Sequence, residues 1–224
     1  MSRTALIAGA SGLAGGYCLR ALLARPDYAR VVALARRPLP VAHEKLSQAI
    51  ADFDRLESFE MPRGADVFCA LGTTIRKAGS QAAFRRVDYE YAKALAERAI
   101  TCGAEQFVLV SSVGAEARSR NFYLRVKGET ERAVSALPFR AVHILRPSLL
   151  IGEREESRPA ERVGIALAPR LNFLLRGPWQ KYRPIEAERV GCAMAAAALR
   201  SERGVCVYEY QMILWLSNRL ELRH

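Results

Sequence analysis

Short apolar runs bounded by turn residues alternate along most of the chain with longer segments whose apolar positions recur at helical spacing, the respective signatures of buried strands and amphipathic helices. Thr4–Ala8 is the first run; it enters a glycine turn, and helical spacing follows over Leu13–Ala24, stopping before Pro26 and Asp27. Val31–Ala35 reads as a second buried strand, with a third near Leu46–Ala51 and a fourth over Asp66–Ala70. A helix is expected over Gln81–Thr101, a fifth strand over Gln106–Ser111, a helix over Tyr123–Ala136, and a sixth strand over Arg140–Leu145 closed by Pro147. This alternation predicts the α/β class: a doubly wound, mostly parallel Rossmann sheet with helices on both faces.

Past about Glu153 the regularity fades, with Pro159, Pro169, Pro178 and Pro184 punctuating short segments before a helix at Glu186–Arg200 and a strand at Val205–Tyr208. Residues 153–190 therefore read as a small irregular lid within a single domain covering 1–224. Open α/β sheets bind ligands beyond the carboxyl ends of their strands, so a lid folding over that edge would shape a substrate pocket.

Half the residues are hydrophobic, enough for a substantial core. The most apolar stretches, Ala193–Leu199 and Met212–Leu216, fall far short of a membrane span. The N-terminal apolar run is broken at once by the glycine turn, where a signal peptide would continue; the expectation is a cytoplasmic protein with no membrane partner. Cys18, Cys69, Cys102, Cys192 and Cys206 are scattered, without a Cys-x-x-Cys pair or a histidine at ligand spacing, so buried free thiols and no metal are expected. His143 stands in the apolar stretch Ala141–Leu145 and reads as a core residue. The formal charge of +11 is carried mainly by arginines spread along the chain; with no dense basic block, nucleic acid is the lesser reading and surface charge or a phosphorylated cofactor the better one.

Gly9-Ala10-Ser11-Gly12-Leu13-Ala14-Gly15 spaces three glycines three apart between a strand and a helix. Gly9 permits the tight turn, Gly12 admits a pyrophosphate to the backbone, and Gly15 lets helix meet strand, while the helix N-terminus offers free N–H groups. Gly9, Ser11, Gly12, Leu13 and Gly15 are thus the expected dinucleotide cradle. At the end of the second strand, where an NAD site usually carries an acid, stands Ala35-Arg36-Arg37. Two guanidinium groups suit a 2′-phosphate, so NADP(H) is expected and NAD(H) is the lesser choice; the alternative is that both are solvated surface charges. Asp52 and Phe53 would bond the adenine amine and pack on its ring, or simply end a strand.

Tyr123 and Lys127 lie four apart at the start of a predicted helix and share a face. A tyrosine with a reference pKa of about 10 is a poor acid–base catalyst at neutral pH, and a neighbouring ammonium lowers that value. Ser111 and Ser112 end the fifth strand toward the same edge, where a serine hydroxyl can hold a substrate carbonyl.

These residues resemble the short-chain dehydrogenase/reductase superfamily in its atypical branch, over most of Ala5 to about Met194. Leu71-Gly72-Thr73-Thr74 with Lys77-Ala78-Gly79, Val87-Asp88, Ser111-Ser112-Val113-Gly114-Ala115, Asn121-Phe122-Tyr123-Leu124 with Val126-Lys127-Gly128-Glu129, and Glu156-Ser157-Arg158-Pro159 look like the Tat-interacting-protein-like oxidoreductases. The resemblance implies NADP(H) in the cleft and a site of Ser112, Tyr123 and Lys127, with Ser111 the fallback serine. It also places Leu71 and Gly72 against the cofactor and brings backbone groups of Pro147-Ser148-Leu149 to its carboxamide. The chain departs at Asp88, where superfamily relatives often carry asparagine; a carboxylate there can pair with Lys127.

The expected function is an NADPH-dependent reductase of a small carbonyl compound, in which Tyr123 donates the proton, Lys127 lowers its pKa and bonds the nicotinamide ribose, and Ser112 orients the carbonyl. The alternative is a non-catalytic NADP(H)-binding sensor or scaffold that acts through a protein partner. The substrate is not readable, and a homodimer fits the apolar helices of such folds.

Overall fold

The computed structural model describes residues 2–152 and 177–221. Its strands are β1 (Arg3–Ala8), β2 (Tyr28–Ala35), β3 (Leu46–Ile50), β4 (Asp66–Cys69), β5 (Gln106–Val110), β6 (Ala141–Leu145), β7 (Leu150–Ile151), β8 (Ile185–Glu186) and β9 (Gly204–Tyr208). The helices are α1 (Leu13–Ala24), α2 (Ile75–Ala78), α3 (Gln81–Arg85), α4 (Tyr91–Thr101), α5 (Phe122–Ser135), α6 (Ala187–Ala198) and α7 (Tyr210–Glu221). A seven-stranded sheet runs in the order β3-β2-β1-β4-β5-β6-β9, with every pairing parallel. β7 and β8 form a separate parallel pair. The chain reverses its direction of winding between β1 and β4, the switch point at which such sheets open a crevice.

The central strands are continuous apolar runs because helices cover both faces: β4 and β6 are buried throughout, as is the carboxyl half of β1. On one face α1, α6 and α7 bury Leu19, Leu22, Val190, Met194, Ile213 and Leu216. On the other, α4 buries Leu95, Ala96 and Ala99, and α5 contributes Val134. β3, with its alternating half-exposed and exposed residues, is an edge strand.

The segment expected as one helix over Gln81–Thr101 is divided by a wide π-helical turn at Arg86–Glu90. Such single π turns gather at functional sites, and this one carries buried Asp88. Ser80 caps α3 through Ala83 N–H at 3.0 Å, and Asn121 caps α5 through Leu124 N–H at 3.2 Å. Helix α7, which holds the apolar run Met212–Leu216, and the β7–β8 pair were not expected from the sequence pattern.

His143 is wholly buried in β6, its Nδ1 2.9 Å from the Tyr208 hydroxyl and its Nε2 3.3 Å from Gln106 Oε1, a satisfied core residue as expected. None of the five cysteines is in a disulfide, but only Cys18 and Cys69 are buried; the other three are half-buried, which corrects the expectation for them. Among the described residues no helix is long and apolar enough to cross a membrane. Residues 153–176, most of the expected lid including Glu156–Pro159, lie outside the described residues.

Candidate functional site

The chain leaves β1 into a turn that only glycine can make. Gly9 takes a φ of 90°, and a Cβ there would overlap the Ala70 carbonyl beyond β4; a Cβ on Gly15 would overlap the Gly9 carbonyl. Gly12 donates its N–H to the Gly9 oxygen at 2.9 Å and stands at the N-cap of α1 with no side-chain cap and no acid in the first turn. A helix N-terminus with free N–H groups, unopposed by a carboxylate and reached over glycines, fits a pyrophosphate. Ser11 is exposed beside it, and the Leu13 side chain lies against Gly152.

Beyond the neighbouring strand ends stand Arg36 and Arg37, both exposed directly after β2. Asp52 follows β3 and uses its Oδ1 to cap the short helix Phe53–Ser58 through Asp54 N–H at 3.0 Å. Phe53 is only 5% exposed and turns inward against Tyr91, at 5.6 Å between ring centroids. That side chain is therefore committed to the core rather than offered to an adenine.

Beyond β4 and β5 the remaining predicted residues converge. Leu71 is half-buried and Gly72 exposed in the loop after β4. The strand-end Ser111 donates its N–H to Leu145 at 2.8 Å, and Val113 donates to the Pro147 carbonyl at 2.9 Å, which ties the Ser112 loop to the end of β6. Ser112 is half-buried, while the Ser111 hydroxyl is buried without a hydrogen-bond partner among the described residues. Pro147 is buried; Leu149 is exposed, with its carbonyl taken by Ile185 N–H at 2.9 Å.

Tyr123 and Lys127 lie on one face of α5, and the Tyr123 ring rests on Phe84 at 5.6 Å. Lys127 Nζ is 2.7 Å from Asp88 Oδ1, and both side chains are nearly or wholly sealed from solvent. Burial opposes the Lys127 charge, but the Asp88 carboxylate, with Tyr123 beside it, more than offsets this and raises the lysine above its ordinary range. The amine is an ammonium at any physiological pH.

Sequence reasoning missed what aims Asp88. Its Oδ2 accepts the Thr73 N–H at 2.9 Å, and the Thr130 hydroxyl reaches both the Asp88 main-chain carbonyl at 3.0 Å and the Val126 carbonyl at 2.8 Å, sharing its one proton between them. Thr130 stands three residues after Lys127 on the same helix, a spacing that shares its face. Cys69, at the end of β4, also feels this pair, and burial pushes its thiol up to about 11. The arginines beyond β2 and the tyrosine–lysine pair beyond β4 and β5 occupy different strand ends on either side of the glycine turn, the layout an extended dinucleotide requires.

Among the described residues no group of His, Cys, Asp and Glu is arranged to hold a metal ion. A cavity of about 670 Å³ lined by Met61, Arg98 and Cys102 lies at the opposite, amino-terminal edge and shares none of these residues.

Comparison with known proteins agrees with this geometry. The sequence profile of the NAD dependent epimerase/dehydratase family matches residues 5–172. Protein HTATIP2 of Rattus norvegicus is 39% identical over 165 residues, covering 71% of this chain and 68% of that protein. The mitochondrial protein fmp52 of Emericella nidulans is 34% identical over 215 residues, covering 91% of this chain and 90% of that protein. The Tat-interacting-protein-like resemblance is therefore correct. Among solved structures, the human epimerase family protein SDR39U1 with NADPH superposes with a TM-score of 0.64 at 18% identity, covering 92% of this chain and 74% of that one. The UDP-Glc/GlcNAc 4-epimerase of Campylobacter jejuni does so with a TM-score of 0.69 at 15% identity, covering 96% and 82%. Both show the shared fold.

One expectation is overturned. Relatives spanning most of this chain, from Emericella nidulans, Saccharomyces cerevisiae and Lodderomyces elongisporus, are mitochondrial proteins, against the expected cytoplasmic location. The N-terminal apolar run is the core strand β1, so its brevity reports the sheet and not a compartment. The glycine cradle, the parallel sheet, the match over residues 5–172 and relatives at 34% and 39% identity together identify the chain as a member of the NAD dependent epimerase/dehydratase family.

Proposed function

We propose that the chain is an NADP(H)-binding protein of the short-chain dehydrogenase/reductase type that reduces a small carbonyl compound. The observation that carries this reading is the Tyr123–Lys127 pair, with Lys127 held as a buried ammonium beside the phenol and the Ser112 loop at the same sheet edge. Gly9, Gly12, Gly15 and the α1 N-terminus would hold the pyrophosphate, and Arg36 and Arg37 the 2′-phosphate. A bound reduced dinucleotide supplies a hydride. Tyr123 would then donate its phenolic proton to the alkoxide oxygen that develops, Lys127 would stabilise the resulting phenolate, and Ser112 would orient the carbonyl through its hydroxyl.

The test is Tyr123→Phe, assayed for NADPH consumption across a panel of small aldehydes and ketones. Turnover is expected to disappear while NADPH still stabilises the variant against unfolding; undiminished turnover contradicts the role of Tyr123.

The Asp88–Lys127 ion pair favours a second reading, a non-catalytic NADP(H) sensor or scaffold, because it engages the lysine with a carboxylate. Dinucleotide binding without NADPH consumption on any panel member supports that reading; clear consumption removes it.

A further inference from the structure

Lys127 and Asp88 form a closed electrostatic unit beneath the site. Their charged atoms are 2.7 Å apart, with side-chain exposures of 8% and 0%. The carboxylate is aimed by the Thr73 N–H on Oδ2, while the Thr130 hydroxyl stands 3.0 Å from the Asp88 main-chain carbonyl and 2.8 Å from that of Val126. The loop after β4 closes over it: a Cβ on Gly72 would stand 3.6 Å from Asp88 Oδ1 and 3.7 Å from Lys127 Nζ. Three titratable groups act on Lys127 from the elements around it: Asp88 from the π turn, Tyr123 from its own helix and Cys69 from β4. The Cys69 thiol, pushed up by burial, carries no charge at neutral pH. Asp88 is the counter-charge.

Oxidised and reduced nicotinamide dinucleotides differ at the binding step in one respect that dominates: the oxidised ring carries a positive charge and the reduced ring does not. Their relative affinity therefore reads the potential at the nicotinamide end of the site. A lone buried ammonium there disfavours the oxidised form. A carboxylate at 2.7 Å converts that monopole into a short dipole, whose field falls away much faster.

We propose that Asp88 is a positioning residue that neutralises Lys127 at the nicotinamide end of the site and so sets the balance between oxidised and reduced dinucleotide, keeping the oxidised form well bound. The inference rests on the proposed reading that a dinucleotide lies across the glycine turn with its nicotinamide end beside Lys127. It does not require the protein to turn over a substrate.

The experiment measures dissociation constants for NADP and NADPH at about pH 6, below the value that all but the deepest burial gives a lysine. Wild type, Asp88→Asn, Asp88→Ser, Asp88→Glu and the double variant Asp88→Asn/Lys127→Met are compared. Asparagine keeps an acceptor for the Thr73 N–H, removes the charge and sets an amide NH2 where Oδ1 met Lys127; the serine variant removes the charge without that amide and serves if the asparagine variant does not fold. A unit charge acting across roughly 8 Å at an effective dielectric of about 20 changes an affinity by tenfold or more. The ratio of oxidised to reduced dissociation constants is therefore expected to rise about tenfold in the Asn and Ser variants, to stay near wild type in the Glu variant, and to return toward wild type in the double variant. An unchanged ratio in the neutral variants, or a raised ratio that survives loss of Lys127, overturns the inference. Failure of wild type to bind either dinucleotide is a distinct result, which overturns the parent reading as well.

Discussion

Gly191 lies directly on the backbone of α1: a Cβ at position 191 would stand 2.5 Å from the Cys18 nitrogen and 2.6 Å from the Tyr17 Cβ. Helix α6 is thereby seated against the helix that follows the glycine turn, and Ala193 and Val190 beside it are fully buried. Gly191→Ala forces the two helices apart. Overpacking of this kind costs about 1 to 3 kcal/mol, which at roughly 2 to 4 °C per kcal/mol lowers Tm by several degrees. Thermal unfolding measures it, and an unaltered Tm would mean the helices are not in this contact.

His143 gives stability a pH dependence of defined sign. Burial pushes its pKa down from 6.5 to about 4, with Glu202 opposing and Arg200 and Arg140 adding to the shift. Because the folded value lies below the unfolded one, its contribution is intact above about pH 6.5 and is lost as pH falls through about 4. The loss amounts to about 3 kcal/mol over that window, to order of magnitude. Denaturant titrations of wild type and His143→Gln between these pH values should show the wild type falling more steeply. Parallel curves would assign the acid sensitivity elsewhere.

Arg36 and Arg37, proposed above to hold the 2′-phosphate, stand exposed at the end of β2. Replacing both with alanine removes charge-assisted hydrogen bonds of about 1.5 to 3 kcal/mol. NADPH affinity is expected to fall tenfold or more, with NADH affinity little changed. Equal weakening of both ligands in calorimetric titration would contradict the assignment.

Most of the sheet was readable because its strands are covered on both faces. Runs such as Ala5–Ala8 and Val31–Ala35 need no alternation to declare themselves. Gly9 and Gly15 were readable for a related reason: each is dictated by a backbone approach that a Cβ would block, while Gly12 was readable by its spacing between them. What stayed hidden was set by tertiary contact. The π turn at Arg86–Glu90 interrupts a helix without a proline or glycine, and Thr130, whose hydroxyl lies 3.0 Å from the Asp88 carbonyl, is 42 positions away in sequence. Phe53 followed a strand as an adenine platform would, yet the Tyr91 ring drew it into the core. Tyr210–Glu221 lacked a start signal strong enough to mark it as a helix, and packing of Ile213, Leu216 and Leu220 on the core defines it.

The glycine turn and the two arginines are proposed to bind a phosphorylated dinucleotide. Thermal unfolding of nucleotide-free protein with NADPH, NADP, NADH and NAD in parallel tests it most directly. A ligand at a hundredfold its dissociation constant stabilises by about 2.7 kcal/mol, a rise of several degrees for a chain of this size at roughly 2 to 4 °C per kcal/mol. That rise is expected with NADPH and NADP and a much smaller one with NADH and NAD. No rise with any of the four would contradict it.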